Sequence, residues 1–125
     1  MASPARPLFM ALILIGMNLA QAQTAEPEKW QAGLAKVAIT PDKPVWMAGY
    51  DSRSGPSEGK IIDIYARALV LADSANHQLA VITLDLIEIP GSLRELLLQA
   101  SAKHGFKPSQ VLLNVSHTHG GPMVS

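Results

Sequence analysis

Three apolar runs, at residues 61–72, 79–84 and 111–115, constrain what this chain can fold into. A turn separates the first two, and a helical segment separates the second from the third. Residues 61–72 and 79–84 alternate as strands do, and the six residues from Asp73 to Gln78 have the composition of a turn. We therefore expect an antiparallel hairpin. An earlier strand is predicted over residues 33–40, ending before Pro41, since proline has no amide to donate to a β-ladder.

A helix is predicted after the hairpin. Ser92 and Glu95 have the spacing of a capping box, and Gly105 is expected just past the end of the helix. Between them lies an apolar stripe at helical spacing, formed by Leu93, Leu96, Leu97 and Ala100. A fourth strand, Val111–Val115, follows. A strand–helix–strand crossover makes its two strands parallel, so the predicted fold class is α/β: a mixed sheet with an N-terminal hairpin and a β-α-β crossover.

Two histidines follow the fourth strand directly, in the sequence His117-Thr-His119-Gly-Gly-Pro122. In an extended segment the side chains of residues i and i+2 point to the same side, so both imidazoles can converge on one ion or substrate. Imidazole is a common zinc ligand. Gly120 and Gly121 let the backbone turn beside the rings. The alternative is a pair of polar structural residues at the end of a strand.

Other polar residues have two interpretations each. Asp85 follows the third strand and could orient a metal-bound histidine, or could simply end its strand as a turn or cap residue. Arg67 interrupts an apolar strand face and is expected to form a structural salt bridge. His77, in the hairpin turn, is expected to be solvated, and His104 is expected to be a charge at the end of the helix.

Composition excludes some kinds of partner and site. Ten basic residues balance ten acidic residues and no basic stripe stands out, so nucleic acid is not an expected partner. The chain has no cysteine, which leaves nitrogen and oxygen ligands for a metal. Residues 44–60 are rich in Gly, Pro and Ser, a loop whose length suggests either a functional segment or a mobile one.

The N-terminal residues have the pattern of a cleavable signal peptide. Arg6 precedes an apolar run over residues 8–19, and Ala20-Gln-Ala22 has the small-residue spacing of a cleavage site. This run is short for a membrane span, which needs roughly 20 residues, although an uncleaved anchor is the alternative. We expect a signal peptide at 1–22, cut after Ala22, a spacer at 23–32 and a secreted or periplasmic protein whose folded domain begins at residue 33.

The sequence resembles the N-terminal part of the neutral/alkaline non-lysosomal ceramidases. The resemblance depends most on His117-Thr-His119-Gly-Gly-Pro122. Supporting segments are Gly33 to Thr40, the Met47-Ala-Gly-Tyr50 turn, Ala66-Arg-Ala68 and Thr83-Leu-Asp85-Leu. Members of the family often have serine at the position of Gly120, which is where this sequence departs from them.

The resemblance implies a zinc amidohydrolase that cleaves the N-acyl bond of ceramide, or of a related lipid, into sphingosine and a fatty acid. It implies that His117 binds Zn²⁺ and that His119 lies in the active site, beside the activated water or the oxyanion. It also implies that further ligands, a histidine, a glutamate and a tyrosine, lie beyond residue 125. The chain would then be an incomplete part of a larger catalytic domain, inactive alone, with peripheral membrane contact in reaching its substrate.

Two other functions are compatible with the residues. Barrel amidohydrolases also carry a His-x-His pair at the end of a strand, although usually on the first strand of the barrel. A non-enzymatic exported binding protein is the second alternative, with His117 and His119 as polar residues at the end of a strand.

Overall fold

The structure, a computed structural model, describes residues 29–124. The predicted signal peptide at 1–22 lies outside the described residues, as does most of the predicted spacer. Four strands form one sheet in the order β1-β2-β3-β4, and their bounds are β1 Gln31–Ala38, β2 Tyr65–Ala72, β3 Gln78–Leu84 and β4 Val111–Val115. The helix α1, Gly91–Ala102, joins β3 to β4.

The sheet is mixed, as the sequence predicts. β1 pairs with β2 and β2 with β3 in antiparallel register, whereas β3 and β4 are parallel. Leu69 lies opposite Leu34 on one side and Val81 on the other. Val81 in turn lies opposite Leu112. The predicted α/β class, with its hairpin and β-α-β crossover, is therefore confirmed.

Several strand bounds differ from those predicted. The smaller differences are that β1 ends at Ala38 instead of residue 40 and that β3 begins at Gln78 instead of residue 79. β1 begins at Gln31, two residues before the predicted start and inside the predicted spacer. β2 begins at Tyr65 and not at residue 61. β2 starts late because the Ile64 amide bonds to a side chain: it donates to Thr40 Oγ1 at 3.0 Å. The same hydroxyl donates to Asp63 Oδ1 at 2.8 Å. Ile61 is fully exposed there.

The predicted capping box is wrong. The helix begins at Gly91 after Pro90, so Ser92 lies within the first turn and makes no side-chain cap hydrogen bond. A serine caps a helix only from the flanking position, where its backbone is not yet helical. At the other end, Gly105 takes a left-handed φ of +86° and its amide donates to the Ala102 carbonyl, so the predicted glycine does end the helix.

The helix α1 packs on one face of the sheet, and the other face is exposed. α1 packs near β4, where Leu98 lies close to Val111 and Leu113. The opposite face is open, and Leu34 in β1 is 84% exposed. In the part of the chain that the structure describes, the buried apolar residues are small or lie near the carboxyl end of β3; they are Ala48, Ala72, Ala80, Leu84 and Leu86. Within residues 29–124, no helix is long and apolar enough to cross a membrane.

Candidate active site

The carboxyl ends of β3 and β4 lie side by side, because Leu84 is the register partner of Val115. The segments that follow β3 and β4 remain hydrogen-bonded to each other beyond the strands. The Ser116 amide donates to the Leu84 carbonyl at 3.0 Å, and the Thr118 amide donates to the Leu86 carbonyl at 3.2 Å. Ligands of open α/β sheets bind at this edge. Both predicted site histidines therefore lie at the edge where the topology favours a site.

The loop before β2 closes on the same segment from another direction. The Ala48 amide donates to the Gly121 carbonyl at 3.0 Å, and the Met123 amide donates to the Trp46 carbonyl at 2.8 Å. Met47 and Pro122 form an antiparallel bridge between these bonds. The Gly-, Pro- and Ser-rich loop is thus attached to the histidine segment, which favours the functional interpretation of its length.

His117 is held through one ring nitrogen. Its Nδ1 atom lies 2.8 Å from the Ile87 carbonyl oxygen. A carbonyl oxygen only accepts, so Nδ1 donates this hydrogen bond, and Nε2 makes no hydrogen bond among residues 29–124. Metal-binding histidines commonly donate their other N–H to a carbonyl or carboxylate in this way. The exposed His117 side chain is therefore oriented as a ligand would be.

The two histidine rings converge, but not for the predicted reason. His117 has a φ of +53°, so the His117–His119 segment is not extended. The ring centroids nevertheless lie 5.4 Å apart with an interplanar angle of 69°. The rings meet because the chain turns after β4, and the simple alternation of side chains in a strand does not apply.

His119 is partly buried against the loop before β2. The Tyr50 ring lies edge-on to its imidazole, with centroids 4.8 Å apart. Arg53 Nη2 donates to the His119 carbonyl oxygen at 2.8 Å. The Nδ1 atom of His119 is buried and has no hydrogen-bond partner among residues 29–124. Nε2 is the ring nitrogen that is not enclosed in this way.

Asp85 holds the start of β2. Its Oδ2 accepts from the Tyr65 amide at 2.9 Å, and Arg67 Nη1 lies 3.0 Å from both carboxylate oxygens. The predicted salt bridge of Arg67 is therefore present. The ring of His117 is bonded to the Ile87 carbonyl instead of to this carboxylate. The role of Asp85 in orienting a metal-bound histidine stays a prediction.

The remaining histidines lie at the other end of the sheet or beyond the helix. His77 precedes β3, is 83% exposed and places Nδ1 2.8 Å from Asp73 Oδ2. This bond and the His77 amide hold the pKa of the Asp73 carboxyl below its ordinary value. His104 follows α1 and lies outside its last turn, so its role as a charge at the end of the helix stays a prediction.

A zinc site here would be held by His117, with the His119 ring beside it. The Nε2 atom of His117, which makes no hydrogen bond among residues 29–124, is compatible with binding a metal, whereas the Nδ1 atom of His119 is buried against the loop. Residues 29–124 contain no cluster of three His, Asp or Glu side chains suited to hold a metal. A catalytic zinc usually has three protein ligands. The described residues fit part of a zinc site and do not complete one.

Sequence reasoning missed three residues of this arrangement: Gly49, Tyr50 and Arg53. An added Cβ at Gly49 would lie 2.5 Å from His119 Cγ. The available signal was an aromatic and an arginine within a long loop rich in glycine and proline. That signal could not reveal that their contacts lie on His119, many residues later.

Solved structures of ceramidases resemble this chain, whereas no protein-family model matches it. Neutral ceramidase from Pseudomonas aeruginosa is 30% identical over 75% of this chain, with a TM-score of 0.69. A ceramidase complexed with C2 is 31% identical over 75% of the chain, with a TM-score of 0.64. The predicted resemblance is confirmed. The chain spans only 16% and 15% of these two proteins.

Proposed function

We propose that this chain is the N-terminal part of a ceramide hydrolase related to the neutral ceramidases, and that the complete protein cleaves the N-acyl amide bond of ceramide. The observation that carries the proposal is the convergence of His117 and His119, with ring centroids 5.4 Å apart at the carboxyl edge of the sheet. Similarity to two ceramidases over three quarters of the chain supports the substrate class.

Within this proposal, His117 would hold zinc through Nε2, since its Nδ1 is engaged by the Ile87 carbonyl. Zinc, when bound, polarises an amide carbonyl and lowers the pKa of water to about 7. His119 would move a proton at Nε2, because its Nδ1 is buried. Asp85 would keep the neighbouring strand end in place through Tyr65 and Arg67.

The remaining ligands would come from elsewhere in the complete protein. Two imidazoles fall short of the three ligands of a catalytic zinc site. We therefore expect residues 23–125 alone to bind zinc weakly and to be inactive. Zinc titration of this segment and of the complete protein, with the two zinc affinities compared, checks that expectation. Tight, stoichiometric zinc binding by the segment alone would contradict it.

Export is also part of the proposal and rests on the sequence of residues 1–22. A lipid substrate would require peripheral contact with a membrane or a lipid aggregate. Mass spectrometry of the N-terminus of the mature protein tests export: a start at Gln23 is the expected result, and an intact N-terminus retained in the cytoplasm is the contrary one.

The test of function uses the complete protein, purified, analysed for metal and supplied with ceramide carrying a labelled acyl chain. Bound zinc and released labelled fatty acid are expected. His77→Ala is a matched control, since that exposed histidine lies at the opposite end of β3. Zinc without acyl release from any ceramide would reject the substrate, and the absence of bound zinc after anaerobic purification would reject the metal.

A further inference from the structure

The segment formed by Gly49, Tyr50 and Arg53, here called the His119 cradle, contacts His119 at three separate places. Gly49 faces the ring, Tyr50 lies edge-on to it, and Arg53 binds the carbonyl oxygen. We infer that Gly49 and Arg53 are positioning residues, which fix the orientation of the His119 ring without contacting substrate themselves. This inference rests on the proposed function, in which His119 takes part in proton transfer.

Gly49 sets the closest approach of the loop to the ring. An added Cβ there would lie 2.5 Å from Cγ, 2.7 Å from Nδ1 and 2.9 Å from Cβ of His119. In proteins, a Cβ atom essentially never lies within 3.0 Å of a heavy atom to which it is not covalently linked. Gly49 also has a φ of +96°, a region that side chains disfavour. Any larger residue at this position must move the loop or the ring.

The ring has little room to yield. Tyr50 lies edge-on to it with an interplanar angle of 72°. The loop is attached through the Ala48 amide, which donates to the Gly121 carbonyl. Because this bond falls next to Gly49 and two residues after His119, it keeps the loop backbone beside the backbone of the histidine segment.

Arg53 links the backbone and the ring of the same residue. Its Nη2 donates to the His119 carbonyl oxygen at 2.8 Å, and its guanidinium carbon lies 5.2 Å from the centroid of the Tyr50 ring. A charged donor makes a stronger hydrogen bond to a carbonyl than a neutral one. Cation–π attraction to Tyr50 holds the aromatic ring beside the imidazole. One side chain therefore fixes the histidine at its carbonyl and, through Tyr50, at its ring.

Gly49→Ala in the complete protein tests the inference, with Gly105→Ala as the matched control. Gly105 has a similar φ of +86°, but an added Cβ there meets nothing within 4 Å. Both variants carry the same kind of backbone strain, and only Gly49→Ala presses on His119. We expect Gly49→Ala to lower kcat about 100-fold, as displacements near 1 Å do, with zinc content and KM retained. Equal kcat values for the two variants would overturn the inference.

Arg53→Met gives a second test that does not depend on Gly49→Ala folding. Removing the donors while keeping an apolar stem is expected to lower kcat about tenfold, the loss of one charge-assisted hydrogen bond, and Arg53→Lys should restore part of it. Arg94→Met is the matched control, since Arg94 contacts only its neighbour Glu95 among the ion pairs of the described residues. A lower thermal midpoint for Arg53→Met with unchanged kcat would mean a structural role only.

Crystal structures of the same complete proteins separate this inference from the proposed function. The inference requires the Tyr50–His119 centroid distance, 4.8 Å here, to change in Gly49→Ala and not in Gly105→Ala. If the wild type releases no fatty acid from ceramide, the proposed function fails. The position of the His119 ring in the two variants then still tests whether Gly49 orients it. An unmoved ring in Gly49→Ala would overturn the positioning role whatever the activity.

Discussion

The Nδ1 atom of His117 lies 2.8 Å from the carbonyl oxygen of Ile87, a residue that follows β3. A backbone atom at the end of one parallel strand thus orients a histidine at the end of the next. The arrangement follows from the β-α-β crossover, which brings the two strand ends to the same edge. It leaves Nε2 as the ring nitrogen that is not engaged by this bond.

His117→Ala in the complete protein is expected to abolish zinc binding and ceramide hydrolysis, because a catalytic zinc site has few ligands to spare. Metal analysis after dialysis, together with an acyl-release assay, checks this. His77→Ala should keep both properties. Stoichiometric zinc retained in His117→Ala would remove this residue from the set of ligands.

His119→Ala is expected to keep most of its zinc and to lose turnover by a factor of about 100 to 10,000, the usual contribution of general acid–base catalysis. The measurement is kcat at saturating substrate with zinc content determined on the same sample. Unchanged kcat would exclude a catalytic role for the His119 ring.

Asp85→Ala separates the two roles of this carboxylate. Loss of its bonds to the Tyr65 amide and to the half-exposed Arg67 should lower the free energy of unfolding by about 1–2 kcal/mol, measured by urea denaturation. If the role is structural, the zinc Kd stays the same. A zinc Kd raised by about 10- to 100-fold would instead show that Asp85 orients a metal-bound histidine.

We expect the stability of the fold to depend on pH through the Asp73 carboxyl. Its pKa is lowered from the ordinary 3.8, first by the His77 ring and then by the His77 amide. A carboxyl whose pKa is lower in the folded state stabilises the fold above the unfolded pKa, and this contribution is lost as pH falls through the folded value. The thermal midpoints of wild type and Asp73→Asn should therefore differ above pH 3.8 and converge below it.

The pH titration has a control in Asp42→Asn, since Asp42 is an exposed carboxylate in the loop after β1. This variant makes the same carboxyl-to-amide change away from the contact between Asp73 and His77. A constant gap between wild type and Asp73→Asn down to pH 2, measured in the same scans, would contradict the assigned bond.

Ser92→Ala is expected to leave stability within about 0.5 kcal/mol of the wild type, as is usual for surface positions, since Ser92 makes no cap hydrogen bond. Ser101→Ala is the contrasting variant. Its Oγ is bonded to the Leu97 carbonyl at 2.8 Å and the residue is buried, so a loss of about 1 kcal/mol is expected. A comparable loss in Ser92→Ala would mean that the serine caps the helix after all.

The sequence by itself determined the order and type of the elements. Alternation of apolar residues, a polar turn and a helical stripe are local signals, because each arises from the repeat of its own element. They located β4 at Val111–Val115 and the hairpin between β2 and β3. The parallel pairing of β3 and β4 followed, since a crossover through a helix permits little else.

Only the tertiary structure decided the environment of the histidines. The φ of +53° at His117 is a turn that the apolar alternation of β4 does not reveal. The bond from Arg53 to His119 joins segments far apart in the chain. The same is true of the close approach of Gly49 to the His119 ring. Such contacts have no period in the sequence, because they depend on where two loops meet after the sheet has formed. The pattern therefore predicted a site at His117 and His119, and the fold determined which residues contact them.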